Sequence, residues 1–314
     1  MSHLSKRARR VNNRRLPVWR LTQCAATSLV LGCSHLQRSL SRFDEKEGRG
    51  PAAASLEDSD LATSGASADR CRPLLRDGTY VNAVYVNGFH KKDRFVVTQT
   101  PSSNDLEDFW KLVVESGTRT IVTLDVFSDD ADVVQFWPTS GSVRYGDHRI
   151  ECTENRNVND LSVQAFKITS KHKVTLKLLV NVPRMDQHRQ SMAGIKALGS
   201  FGAVTVKHFH RTTWESAEQI VDLVDHVERW QQQSGNKIIL VQCRNGCTAS
   251  GLFCTCSLVL EKIKCEQEVD VFYATRIVRE NRPQFIQDSD QYKFCYEVAA
   301  AYLESFALYA NFRQ

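Results

Sequence analysis

The second half of the chain predicts an α/β fold, on three observations. Ile238 to Val241 (IILV) is a short, wholly apolar run of the kind buried in the middle of a sheet. It passes through the loop Gln242 to Gly246 into a helical stretch from about Thr248 to Ile263. Upstream, Ile220, Leu223, Val224, Val227 and Trp230 recur as one apolar stripe on a helix spanning 218–233. Strand–loop–helix units in succession are what a sheet covered by helices requires.

The elements follow in order. Residues 1–43 hold nine cations (Lys6, Arg7, Arg9, Arg10, Arg14, Arg15, Arg20, Arg38, Arg42) and no acid, while the whole chain carries only +5. A basic arm therefore precedes a slightly acidic body. Its start has the composition of a mitochondrial presequence, and Cys24 to Cys33 has the character of a signal-peptide core. The preferred reading is an unstructured arm, followed by an Ala/Ser/Gly-rich flexible linker to residue 68. No run reaches the roughly 18 apolar residues of a membrane helix. Tyr80 to Val86 and Arg94 to Thr98 read as strands about an Asn87-Gly88 turn. Leu106, Phe109, Trp110, Val113 and Val114 place a helix over 104–114. Thr120 to Leu124, Ser142 to Glu151, Val163 to Thr169 and Val204 to His210 read as strands. Residues 174–203 have no clear period and read as an insertion. Ser216 and Gln219 make a capping box for the striped helix. Two more helices are expected, Glu266 to Glu280 and Asp288 to Phe306.

Ten cysteines are present, five of them between Cys243 and Cys265. Their spacing is not that of a secreted disulfide framework, and a reducing interior fits better. A zinc site from Cys243, Cys247, Cys254 and Cys256 is disfavoured, because Cys254 and Cys256 would point about 200° apart on one helix.

The chemistry concentrates in Ile238 to Phe253, IILVQCRNGCTASGLF. Cys243 lies between a buried strand and a helix N-terminus. Such a turn aims backbone N–H groups at one point, where the helix dipole favours an anion. The same field favours a thiolate nucleophile. The arrangement is a cradle for a phosphate-like group attacked by sulfur.

From about Asp69 to Leu308 the sequence resembles the protein tyrosine phosphatases, and most of all the second, membrane-distal domain of receptor-type members. Tyr80-Val81-Asn82-Ala83, Gln99-Thr100-Pro101, Asp108-Phe109-Trp110, Phe136-Trp137-Pro138, His208-Phe209, Trp214 and Arg282 to Phe294 match family segments in order. The resemblance implies a cysteine-phosphatase fold, in which a twisted mixed central sheet is flanked by helices. It assigns Gln242, Cys243, Arg244, Asn245, Gly246, Cys247, Thr248, Ala249, Ser250 and Gly251 to the phosphate loop, with Cys243 at the nucleophile position. Gln287 and Gln291 fall where active members orient the attacking water.

Two departures bear on activity. The family signature runs His-Cys, five variable residues, Arg, Ser or Thr, Gly; here Gln242 replaces the His and Ala249 the Arg. The Arg grips phosphate oxygens in a bidentate fork, and by analogy with arginine fingers its loss costs about 10³–10⁵ in rate. Arg244 directly follows the Cys and is expected to point elsewhere. A tyrosine leaving group needs a proton, which the family takes from Trp-Pro-Asp on a mobile loop. Here the segment is Trp214-Glu215-Ser216, with the Asp position held by the helix-capping Ser216. Losing such help costs about 10²–10⁴.

The leading expectation is thus a catalytically silent, regulatory or scaffolding domain in phosphotyrosine signalling. The alternatives are a weakly active phosphatase using Cys243 and a redox sensor pairing Cys243 with Cys247. Expected partners are proteins, namely an active phosphatase domain or phosphotyrosine proteins, and the expected location is cytoplasmic. Nucleic acid, a metal and a cofactor are not expected.

Overall fold

The computed structural model describes residues 71–125, 135–170, 203–212 and 216–311, with side chains to residue 305. The basic arm and linker, all of the 174–203 segment except residue 203, and Trp214 and Glu215 lie outside the described residues.

Among the described residues, eight strands form one sheet: β1 Ala83–Val86, β2 Phe95–Gln99, β3 Thr120–Thr123, β4 Ser142–Tyr145, β5 His148–Val158, β6 Leu161–Ser170, β7 Val204–His210 and β8 Ile239–Cys243. Their order across the sheet is β1-β2-β8-β3-β7-β6-β5-β4. The four middle strands, β2, β8, β3 and β7, are parallel, and both flanks are antiparallel. The sheet is therefore mixed, as the family resemblance implies. Ile168 pairs with Val204, so the end of β6 and the start of β7 lie side by side in the sheet.

Five helices of the described residues cover the faces: α1 Leu106–Glu115, α2 Ala217–Ser234, α3 Thr248–Glu266, α4 Val271–Asn281 and α5 Ser289–Asn311. Strand side chains alternate between two cores, as the period of two demands. Phe95, Val97, Val122, Ile239, Val241 and Cys243 pack with α2 to α5. Val96, Ile121 and Leu240 face the other way, onto α1, Phe136 and Trp137. The α2 stripe buries Ile220, Leu223, Val224 and Val227, each worth about 1.5–3 kcal/mol. Helix α3 is buried on nearly every side between Ser250 and Leu260, which marks it as the central helix.

Three boundaries differ from expectation. The first strand begins at Ala83, not Tyr80. The candidate strand Ser142 to Glu151 is β4 and only the start of β5, broken where Gly146 takes φ +54, and β5 runs on to Val158. The helix expected over 266–280 starts only at Val271. Helix α3 runs on to Glu266 and ends at Gln267, whose φ of +60 is a left-handed cap bonded to Ile263. Asp270 then caps α4 by accepting from the Tyr273 N–H at 2.9 Å.

Candidate functional site

Because β2, β8, β3 and β7 are parallel, the residues that follow them meet along one edge of the sheet. Ligands of open α/β sheets bind beyond such carboxyl ends. The Thr100 N–H donates to the Cys243 carbonyl at 2.9 Å, and the Leu124 N–H donates to the Gln242 carbonyl at 2.9 Å. The Thr100 hydroxyl donates to the buried Asp125 carboxylate at 2.7 Å, and His210 Nε2 donates to the Asp125 carbonyl at 3.0 Å. The Arg211 N–H closes the edge on the Thr123 carbonyl at 3.0 Å.

Cys243 is the last residue of β8 and is buried. The loop turns at once, the Gly246 N–H donating to the Cys243 carbonyl at 3.0 Å. Gly246 has φ +63, and a Cβ there would lie 2.7 Å from the Gln99 backbone nitrogen. Only glycine can serve at that point. Helix α3 then starts at Thr248. Gly251 lets its first turn approach Phe285, whose ring would be 2.8 Å from an added Cβ.

Within this turn the side chain of Asn245 is the hub. Its Oδ1 accepts from the Cys247 N–H at 2.9 Å and the Thr248 N–H at 3.0 Å. The Cys243 thiol also approaches Oδ1, at 3.4 Å. The Asn245 Nδ2 donates to the Thr248 hydroxyl at 2.9 Å. Arg244 is exposed, as expected of a residue at the loop mouth. Ala249 is half-buried, and Ser250 is buried with its hydroxyl unpaired. Burial pushes the Cys247 thiol up, opposed by the Arg282 guanidinium that bonds to it. Burial likewise raises Cys254. The Cys256 sulfur lies 3.9 Å from that of Cys295 on α5.

Gln242 starts a buried chain of side chains that crosses the sheet. Its Nε2 donates to Thr123 Oγ1 at 3.0 Å, and Thr123 lies 2.8 Å from His208 Nε2. His208 Nδ1 lies 2.9 Å from Gln164 Oε1, and Gln164 Nε2 donates to Asn155 Oδ1 at 3.3 Å. An amide oxygen can only accept, so His208 carries its proton on Nδ1 and takes the Thr123 proton on Nε2. Full burial, with His210 stacked beside it, keeps His208 neutral and well below the usual histidine range.

Ser216 caps α2 with the expected box, its N–H reaching Gln219 Oε1 at 3.4 Å. Gln287, exposed, and Gln291, half-buried, sit at the start of α5 and bond each other, the Gln287 N–H donating to Gln291 Oε1 at 3.2 Å. Gln291 is further tied to Asp288. Thr100, Asp125, His210, Arg211 and Arg282 were not singled out from sequence as site residues. The signal for the first four was present: each closely follows or ends a strand that pairs in parallel within the central block. Only the register could show that those strand ends coincide.

The sequence model of the family described as protein-tyrosine phosphatase matches residues 66–301. The chain belongs to this family. It is 33% identical to human receptor-type tyrosine-protein phosphatase epsilon over 242 residues, 74% of this chain and 31% of that protein. It is 31% identical to chicken receptor-type tyrosine-protein phosphatase U over 252 residues, 76% of this chain and 16% of that one. Against tyrosine-protein phosphatase Lar of Drosophila melanogaster it is 29% identical over 240 residues, 76% of this chain and 11% of that one. The chain thus spans about a third or less of the length of the curated relatives it matches.

Several family segments have structural duties here. The Asn82 carbonyl accepts from the Thr98 hydroxyl, and the Asn82 amide donates to Gln99. Trp110 is wholly buried and donates to the Phe136 carbonyl at 3.0 Å. Gln99 and Thr100 form the floor under the Cys243 loop.

Proposed function

We propose that this is a silent member of the tyrosine phosphatase family, equivalent to the second domain of a receptor-type enzyme. It acts by protein contact in phosphotyrosine signalling and does not turn over phosphotyrosine. The observation that carries the reading is Ala249 at the start of α3, where the family's guanidinium would grip the phosphoryl oxygens. A methyl group offers no hydrogen bond and no charge. Arg244 is exposed at the loop mouth, and Arg282 is engaged on Cys247. Ser216 supports the same reading, because a serine committed to capping a five-turn helix has no proton to give a leaving phenolate at neutral pH. Gln287 and Gln291 then serve to fasten the start of α5. The domain would span residues 69–308, with 174–203 as an insertion, and its partners would be an active phosphatase domain or phosphotyrosine proteins on the cytoplasmic side of a membrane receptor. Among the described residues no helix is long and apolar enough to cross a membrane.

A steady-state assay on a phosphotyrosyl peptide tests this. The expected turnover lies at least about 10³-fold below that of an active family domain assayed beside it. Hydrolysis at ordinary family rates, abolished by Cys243→Ser, would overturn the reading. A redox role through Cys243 and Cys247 is less well supported, since burial disfavours the Cys247 thiolate that a resolving cysteine requires.

A further inference from the structure

We infer that Asn245 is an internal ligand of its own loop: its carboxamide oxygen stands where an oxyanion oxygen would bind and keeps the loop closed to free oxyanions. A strand-to-helix turn presents N–H groups that attract an anion because nothing else satisfies them. Here two of those donors, on Cys247 and Thr248, already converge on Asn245 Oδ1 at 2.9 and 3.0 Å. The Cys243 thiol gives its proton to the same oxygen at 3.4 Å, so the group that would attack a bound phosphoryl also holds the plug. The other end of the carboxamide is fixed on the Thr248 hydroxyl at 2.9 Å. The side chain is exposed to solvent, yet both ends of its carboxamide are held by the loop.

A second observation concerns charge. An anion could displace a neutral amide if a buried cation drew it in. The buried guanidinium beside the loop, on Arg282, lies against the Cys247 thiol, and Arg244 is exposed to solvent at the loop mouth. At the helix start stands Ala249. An incoming oxyanion must break two N–H bonds to Asn245, with no contact to a buried, unengaged cation in return. The inference deepens the proposed silence and rests on it in one respect, that no guanidinium competes with Asn245. It adds that the loop refuses phosphate as a ligand and does not merely fail to cleave a bound ester.

Asn245 has an ordinary negative φ, so Asn245→Ala removes the plug without backbone strain. Asn245→Asp keeps the plug's shape and adds a charge the helix start favours. The experiment titrates tungstate, a tetrahedral dianion, into the full chain and each variant by calorimetry, with thermal unfolding as the folding check. Asn245→Ala should bind at least about tenfold more tightly than the unaltered chain, and Asn245→Asp no more tightly than it. Equal affinity in all three would overturn the inference. So would a gain in the Asp variant, which would mean that any substitution loosens the loop. Asn245→Gly replaces the Ala variant if the latter does not unfold cooperatively. Rapid phosphotyrosine turnover by the unaltered chain would sink both this inference and the silent reading. Unchanged tungstate affinity without turnover would sink this inference alone.

Discussion

At Gly246 two costs fall on one atom. A Cβ there would sit on a left-handed backbone and 2.7 Å from the Gln99 nitrogen, a backbone atom that cannot rotate away. Gly235, the cap of α2, shares the left-handed conformation at φ +80 but has only Lys237 near, at 3.9 Å. Gly235→Ala should therefore lose about 1 kcal/mol, for backbone strain alone. Gly246→Ala should lose about 2–4 kcal/mol, because crowding adds to the strain. Urea unfolding of both variants checks the difference; equal losses would mean that the floor under the loop yields. The residue scale is also where sequence reading was least complete. The proposed roles of Cys243, Ala249 and Ser216 rest on the order of a motif, which one dimension carries. Asn245 could not, because its meaning lies in which way a side chain folds back.

Helix α2 shows what is legible at the level of elements. Its stripe, its capping box and its extent were all present in the sequence, since each depends on residues three or four apart. The boundary between α3 and α4 was not. Glu266 to Glu280 has helical composition throughout, and only the left-handed Gln267 and the Asp270 cap divide it. The capping box gives a prediction at this scale. Ser216→Ala should destabilise the domain by about 1 kcal/mol, whereas Ser216→Asp should be nearly neutral, since Asp caps as well as Ser. Chemical denaturation measures both. A neutral Ser216→Ala would show that the box contributes nothing to α2.

The sheet order belongs to the whole molecule. The parallel block β2-β8-β3-β7 interleaves strands from both ends of the chain, which no local pattern states. The family resemblance implied its mixed character; periodicity alone gave only α/β. A pH dependence also belongs at this scale. His208 is held neutral inside the fold, far below the range of an exposed histidine, while the unfolded chain accepts a proton there below about pH 6.5. The unfolded state thus binds more protons in acid. His208's contribution is fully present above about pH 6.5 and is lost as the pH falls below it. Between pH 7.5 and 5.5 the loss from this one group is on the order of 1 kcal/mol. His210 and His148 are lowered by burial in the same sense. Urea midpoints at the two pH values should fall accordingly, and His208→Gln should remove that part of the slope. A slope unchanged in the variant would exclude His208 as its source.

Gly251 and Ala249 stand two residues apart on the same turn, yet they answer to different judges. The glycine is required by Phe285, a neighbour within the fold, whatever the loop binds. An arginine at 249 would be required only by a substrate. A family fingerprint of this kind superimposes an architectural text on a chemical one, and the two can be erased separately. A chain that keeps the first text and loses the second still folds as a phosphatase.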